Sequence, residues 1–240
     1  MEHTLFIEKR YNGPPDSANG GYVAGLMTNF VDGDYEITLK APPPLEKDLR
    51  LIIDKDNNLE LRNEELIIAT GVPVNFDIKY PFPVGFKNAI EPTKLSPLRK
   101  MNTNTCFGCG CRAGGLNLFS GIVKKHESDK MTITTVEITD EFSDKFVDDS
   151  GNITKEIIWT LLDCPGAHTS MLYDPDIIVL LGRMAVHIVK PIPVNQQYYV
   201  VAWQTGEIER RKHFTSTALY SVDDELYAYS KQIFIELLLP

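Results

Sequence analysis

Positive charge is in short supply in this chain of 240 residues. Its 24 Lys and Arg stand against 33 Asp and Glu, a net charge of −9. That balance argues against a general nucleic-acid binder or a ligand of anionic membranes. Nor does any apolar run approach the roughly 18 residues that a membrane-crossing helix needs, so no membrane partner is expected. The opening Met1-Glu2-His3-Thr4-Leu5-Phe6 lacks the basic and apolar regions of a secretory signal. Cysteine is scarce as well. There are four, three of them crowded at 106, 109 and 111, which does not suit a disulfide scaffold. A reducing, cytoplasmic setting is the expectation. What is present is ordinary for a globular protein: 43% hydrophobic and 24% charged residues. The chain is long enough to bury a core without staples, as one large domain or two of about 120 residues.

Two stretches carry helical periodicity. Val23, Leu26, Met27, Phe30 and Val31 fall on one face, ended by Asp32-Gly33-Asp34. Ile153, Ile157, Ile158, Leu161 and Leu162 form a second stripe, preceded by a capping region at Asp148–Asn152 and expected to stop at Pro165-Gly166. The remaining apolar segments alternate or are β-branched and aromatic. They predict strands at Tyr35–Leu39, Leu49–Asp54, Leu66–Val74, Leu116–Val123, Met131–Thr139, Ile177–Val189, Tyr198–Trp203, His213–Val222 and Leu226–Leu238. Pro42-Pro43-Pro44 and Pro191-Ile192-Pro193 each sit between two such strands, at a constant offset of 149 (191 − 42 and 193 − 44). Each half closes with an acidic turn and a strand, Asn63-Glu64-Glu65 before Leu66 and Asp223-Asp224-Glu225 before Leu226. This pattern implies a duplication at domain scale, 1–95 and 96–240, joined by the Pro-bearing basic linker Glu91–Lys100.

Asn19-Gly20-Gly21 opens the first helix. Glycine in a helix costs about 0.8–1 kcal/mol relative to alanine, so two in succession suggest a close approach to the backbone. A helix N-terminus has unpaired N–H groups that can meet a carbonyl oxygen or an anion. A tight turn packed on a neighbour accounts for the same residues equally well. Cys106, Cys109 and Cys111 invite a metal reading, but Cys164 is the only other cysteine and His126 and His168 are isolated, so no metal is expected. Arg210-Arg211-Lys212 and Arg183 are basic groups that could meet phosphates or simply be solvated.

Gly13-Pro-Pro-Asp-Ser-Ala-Asn-Gly-Gly-Tyr-Val-Ala-Gly25, Cys106-Phe-Gly-Cys-Gly110 with Gly115-Leu116, and Trp159-Thr-Leu-Leu-Asp-Cys-Pro-Gly166 together resemble the hotdog-fold thioesterase superfamily. The resemblance implies an α+β double hotdog, each half a long helix wrapped by a curved antiparallel sheet. It also implies an acyl-CoA thioesterase-like hydrolase whose composite site lies between the halves. Asp163 would be base or nucleophile, the Gly20 and Gly21 amides the oxyanion donors, and Asn19 a helix cap or substrate guide. Tyr22, Asp16, Trp159, Arg183, Arg210 and Arg211 would contact substrate. Coenzyme A would enter as part of the substrate, with no separate cofactor, and two chains would pair as a homodimer of double hotdogs. Where many members carry His, this chain has Asn19. The carboxylate expected nine residues later is Thr28, while Asp163 is preceded at that distance by Thr154. Each half thus holds one part of a site. The alternative is a non-catalytic binding or assembly module. A dehydratase ranks lower, because it would want His at position 19.

Overall fold

A computed structural model describes residues 1–79, 83–101, 104–123, 130–139 and 146–238. His126 lies outside these described residues. In chain order the elements are β1 (Glu2–Phe6), α1 (Gly20–Met27), β2 (Tyr35–Leu39), β3 (Asp48–Ile53), β4 (Leu59–Asn63), β5 (Leu66–Pro73), α2 (Phe86–Lys94), β6 (Gly121–Ile122), β7 (Met131–Ile138), α3 (Lys155–Met171), β8 (Val179–Ile188), β9 (Gln196–Gln204), β10 (Lys212–Ser221) and β11 (Leu226–Glu236). The strands form one antiparallel sheet in the order β1-β3-β4-β5-β2-β8-β11-β10-β9-β7-β6. Counted outward from the β2–β8 seam, β5, β4, β3 and β1 mirror β11, β10, β9 and β7. At the seam Tyr35 pairs with Val186 and Ile37 with Met184, and all four are buried.

Alternation along these strands sets two faces. Tyr35, Ile37, Met184 and Val186 join α1 and α3 in the main core, with Val23, Met27, Ile157, Leu161 and Leu162. The opposite face of the β7–β11 region packs under α2 and the segment before it, where Ala89 joins Ile133, Tyr199, Val201, Ala218, Tyr220 and Tyr229 in a second buried cluster. The stretch read as a linker is therefore largely structured: α2 carries Pro92 inside it, and a 3-10 turn follows at Pro97–Lys100.

The two halves enter their helices in the same way. Ala18 N–H donates to the Pro43 carbonyl at 2.8 Å, and Ile153 N–H donates to the Ile192 carbonyl at 2.8 Å. Each donor lies two residues before its helix, and each acceptor is the middle residue of a Pro-x-Pro corner.

Three expectations need correction. First, α3 does not stop at Pro165-Gly166 but continues to Met171. A proline inside a helix costs about 3 kcal/mol or more, because an N–H is lost and its ring crowds the preceding turn. Strand side chains supply hydrogen bonds around the break: Gln232 Nε2 and Thr217 Oγ1 donate to the Leu162 carbonyl at 2.7 and 3.2 Å, and Thr132 Oγ1 donates to the Pro165 carbonyl at 3.5 Å. Secondly, Leu116–Val123 forms a strand only at Gly121–Ile122, because its earlier part runs against the 104–111 loop through Leu116 N–H to the Phe107 carbonyl and Leu118 N–H to the Gly108 carbonyl. Thirdly, β1 and β4 lie where no strand was expected. In β4 the alternation of Leu59 and Leu61 with Glu60 and Arg62 is only four residues long.

Candidate active site

The site begins with the approach of α1 to α3. Asn19 caps α1, its Oδ1 accepting from Tyr22 N–H at 2.9 Å. The next free donor, Gly21 N–H, points across to α3 and donates to Asp163 Oδ2 at 2.9 Å. Asp163 is only 5% exposed, and burial raises its carboxyl pKa to about 7; the Gly21 N–H pulls it down and the Cys106 sulfur pushes it up. Asp163 is in mid-helix, so its carboxyl is shifted by desolvation and not by the dipole of a helix end.

A methyl group at Gly21 would lie 2.6 Å from Asp163 Cβ and 2.8 Å from the Trp159 carbonyl. One turn on, a methyl group at Gly25 would lie 2.5 Å from Glu156 Cα. The glycines therefore serve the packing of the two helices. The Gly21 position faces α3 itself. At the other end of the helix pair, Lys155 Nζ donates to the Thr28 carbonyl at 3.0 Å, and Thr28 stands where the resemblance implied a carboxylate, nine residues after Asn19.

Beside this contact lies a cluster of thiols. The Sγ atoms of Cys106, Cys109 and Cys164 all lie within 4.8 Å of one another. Asn19 Nδ2 donates to Cys106 and Cys164 at 3.8 and 3.7 Å, and Asn104 Nδ2 donates to Cys109 at 3.4 Å. Hydrogen bonds from the thiols of Cys109 and Cys164 hold Cys106 well below the ordinary thiol range. The same contacts push Cys109 and Cys164 up. The grouping by sequence therefore changes. Cys111 is exposed and directs its thiol to the Leu98 and Arg99 carbonyls, while Cys164 comes in from α3.

Of the other predicted residues, Tyr22 is buried with its ring stacked on Tyr11 at 4.0 Å, and Trp159 is buried on α3. Asp16 is exposed in the turn before α1. Arg183 lies on the face of the seam away from the helices, bonded to Thr38 Oγ1 at 3.1 Å and paired with Glu36 at 3.4 Å. It does not meet Asp163, because its neighbour Met184 takes the helix-facing position. Arg210 and Arg211 are exposed at the β9–β10 connection, where Arg211 donates to the Glu236 carbonyl at 3.4 Å. The basic groups nearer the 104–111 loop went unnoticed in the sequence. Lys9, Arg10 and Arg112, with Asn12, Pro15 and Thr105, line a surface recess of about 310 Å³. Their positions, a hundred residues apart, gave no sign of it.

His168 was read as isolated. It is buried on α3, its Nδ1 2.9 Å from Ser120 Oγ, and burial lowers its pKa to about 4. The folded pKa lies below the unfolded value of 6.5, so the unfolded chain binds more protons between pH 4 and 6.5. The stabilising effect of a neutral His168 is complete above pH 6.5 and is lost as pH falls to 4. Asp163, shifted upward, works in the opposite sense between pH 3.8 and 7. The comparison should therefore be with His168→Gln, whose stability should fall less between pH 7 and 4.5, by up to about 3 kcal/mol. Urea midpoints at both pH values measure this, and identical pH slopes for the two proteins would show that His168 is not the group responsible.

Comparison with family models and with curated protein sequences gives no match. Solved structures do match. A protein of unknown function with a hotdog fold from Alicyclobacillus acidocaldarius aligns with a TM-score of 0.60 and 11% identity, over 100% of this chain and 94% of that one. An acyl-CoA thioesterase II from Mycobacterium marinum aligns with a TM-score of 0.63 and 10% identity, over 99% and 93%. The chain has the hotdog fold, in the arrangement of structures that include thioesterases. Among the described residues, no helix is long and apolar enough to cross a membrane.

Proposed function

We propose that the protein is an acyl-CoA thioesterase-like hydrolase, built as two hotdog units, 1–95 and 96–240, related by a pseudo-twofold axis through the β2–β8 seam. The observation that carries this reading is the contact of Asp163 with the first turn of α1, which brings a buried carboxylate from one half to the Gly21 amide of the other. A base beside such a donor suits attack by water on a thioester, because the charge that forms on the carbonyl oxygen can be taken up by the Gly21 N–H. Asp163 and the Gly21 amide now satisfy each other, so the substrate oxygen must take over the amide as α1 and α3 ease apart. The recess lined by Lys9, Arg10 and Arg112 is the basic surface this reading gives to the phosphates of coenzyme A, in place of Arg183, Arg210 and Arg211. A panel of acyl-CoA thioesters, followed by release of free thiol, tests the activity. No turnover of any member would end the enzyme reading.

One observation favours the alternative of a binding or assembly module: the amide and the carboxylate are mutually bonded, and Gly21 and Gly25 let the helices pack without a gap. Tight acyl-CoA binding without turnover would decide for it. The reading also includes a cytoplasmic setting and a homodimer of double hotdogs. Light scattering should report about twice the chain mass at micromolar concentration, and a strict monomer would remove the dimer from the reading.

A further inference from the structure

We propose that Cys106, Cys109 and Cys164 bind a thiophilic divalent metal ion of the zinc class, with three protein thiolates and a fourth position left for a non-protein ligand. The inference does not rest on the thioester reading. Zinc bonds thiolate sulfur at about 2.3 Å in a tetrahedral array, which puts neighbouring sulfurs about 3.8 Å apart. The three sulfurs here already lie within 4.8 Å of one another, so the site closes with a shift of about 1 Å or less. Lack of a fourth ligand argued against metal in the sequence, but a site with an open position needs only three.

The surroundings are those of bound thiolates rather than of packed hydrophobic thiols. Asn19 Nδ2 reaches the sulfurs of Cys106 and Cys164, and Asn104 Nδ2 reaches that of Cys109. Such donors around metal-bound sulfurs orient them and offset their charge. Each of the three sulfurs has at least one. Gly108, inside the Cys-x-x-Cys turn, allows the approach: a methyl group there would lie 2.4 Å from Cys164 Sγ. Cys106 and Cys164 are buried and Cys109 is half-buried, which leaves the ion a way in at one corner. Binding would release the thiol protons to solvent and tie together the 104–111 loop, the α1 cap and α3. If the three cysteines were only core packing, each would act as a small apolar residue with weak hydrogen bonds. The amide donors aimed at all three sulfurs are what that account leaves over.

The test uses the full chain, reduced with a phosphine, stripped with a chelator and titrated with cobalt(II). The expected result is a near-ultraviolet thiolate-to-cobalt absorption that saturates at one ion per chain and disappears when zinc(II) is added. Cys106→Ser and Cys164→Ser should weaken binding at least 10-fold, while Cys111→Ser should bind as the parent does. Circular dichroism reports whether each variant is folded. If the two buried variants unfold, Cys109→Ser at the half-buried corner carries the same expectation. A reduced parent protein with no charge-transfer absorption would overturn the proposal whatever the variants do. So would a signal that survives in folded Cys164→Ser or is lost in Cys111→Ser, since the ion would then lie elsewhere.

Discussion

Asp163→Asn is expected to lower thioester turnover by about 10²–10⁴, the usual worth of a positioned base. The substitution keeps the shape of the side chain, and the amide oxygen can still accept from the Gly21 N–H that now meets Asp163 Oδ2 at 2.9 Å. The effect should fall on kcat, with KM changed little, because acyl-CoA binding does not depend on proton removal. A charge is also taken out of a buried position, so the fold should not be weakened. Steady-state kinetics on any thioester that the parent turns over will decide. Full activity in a folded Asp163→Asn protein would remove Asp163 as the base, while leaving the hotdog fold untouched.

Gly25→Ala should destabilise the protein by about 1–3 kcal/mol, although alanine is the better helix former by about 1 kcal/mol. The added methyl group would sit 2.5 Å from Glu156 Cα and 3.0 Å from both Glu156 N and the Lys155 carbonyl oxygen. All three atoms belong to the α3 backbone, so no side chain can swing away and the helices must separate. Gly206→Ala is the natural control, since its nearest neighbour would be 3.7 Å away on Phe214. Urea unfolding should show a lower midpoint with an unchanged slope for Gly25→Ala alone. A Gly25→Ala protein as stable as the parent would mean that α1 and α3 are not held at this distance by their backbones.

Much of this architecture was legible because it is written in periodicity and corners. The apolar stripes placed α1 and α3, β-branched alternation placed most strands, and the two Pro-x-Pro corners marked matching positions at the entries to the two helices. Asn19, Gly21 and Asp163 were named together, and the structure puts them together. What stayed hidden depends on distance in space. Pro165 read as a helix stop because the donors that surround it, Thr217, Gln232 and Thr132, lie on three strands. Cys164 was set apart from Cys106 because 58 residues separate them (164 − 106). The glycines opening α1 suggested a close approach, but nothing in the chain said that Gly21 would meet α3 while Gly20 meets Leu39 and Leu181 on the sheet. Arg183 looked available for a ligand because strand parity alone does not say which face carries the helices.

The paired entry bonds, Ala18 to Pro43 and Ile153 to Ile192, have a consequence for what can stand at these positions. Each is a clasp between main-chain atoms and prescribes no side chain at the donor, which is alanine in one copy and isoleucine in the other. The joint between helix and corner can therefore stay the same while the residues around it differ, glycines just inside one helix and an aspartate within the other.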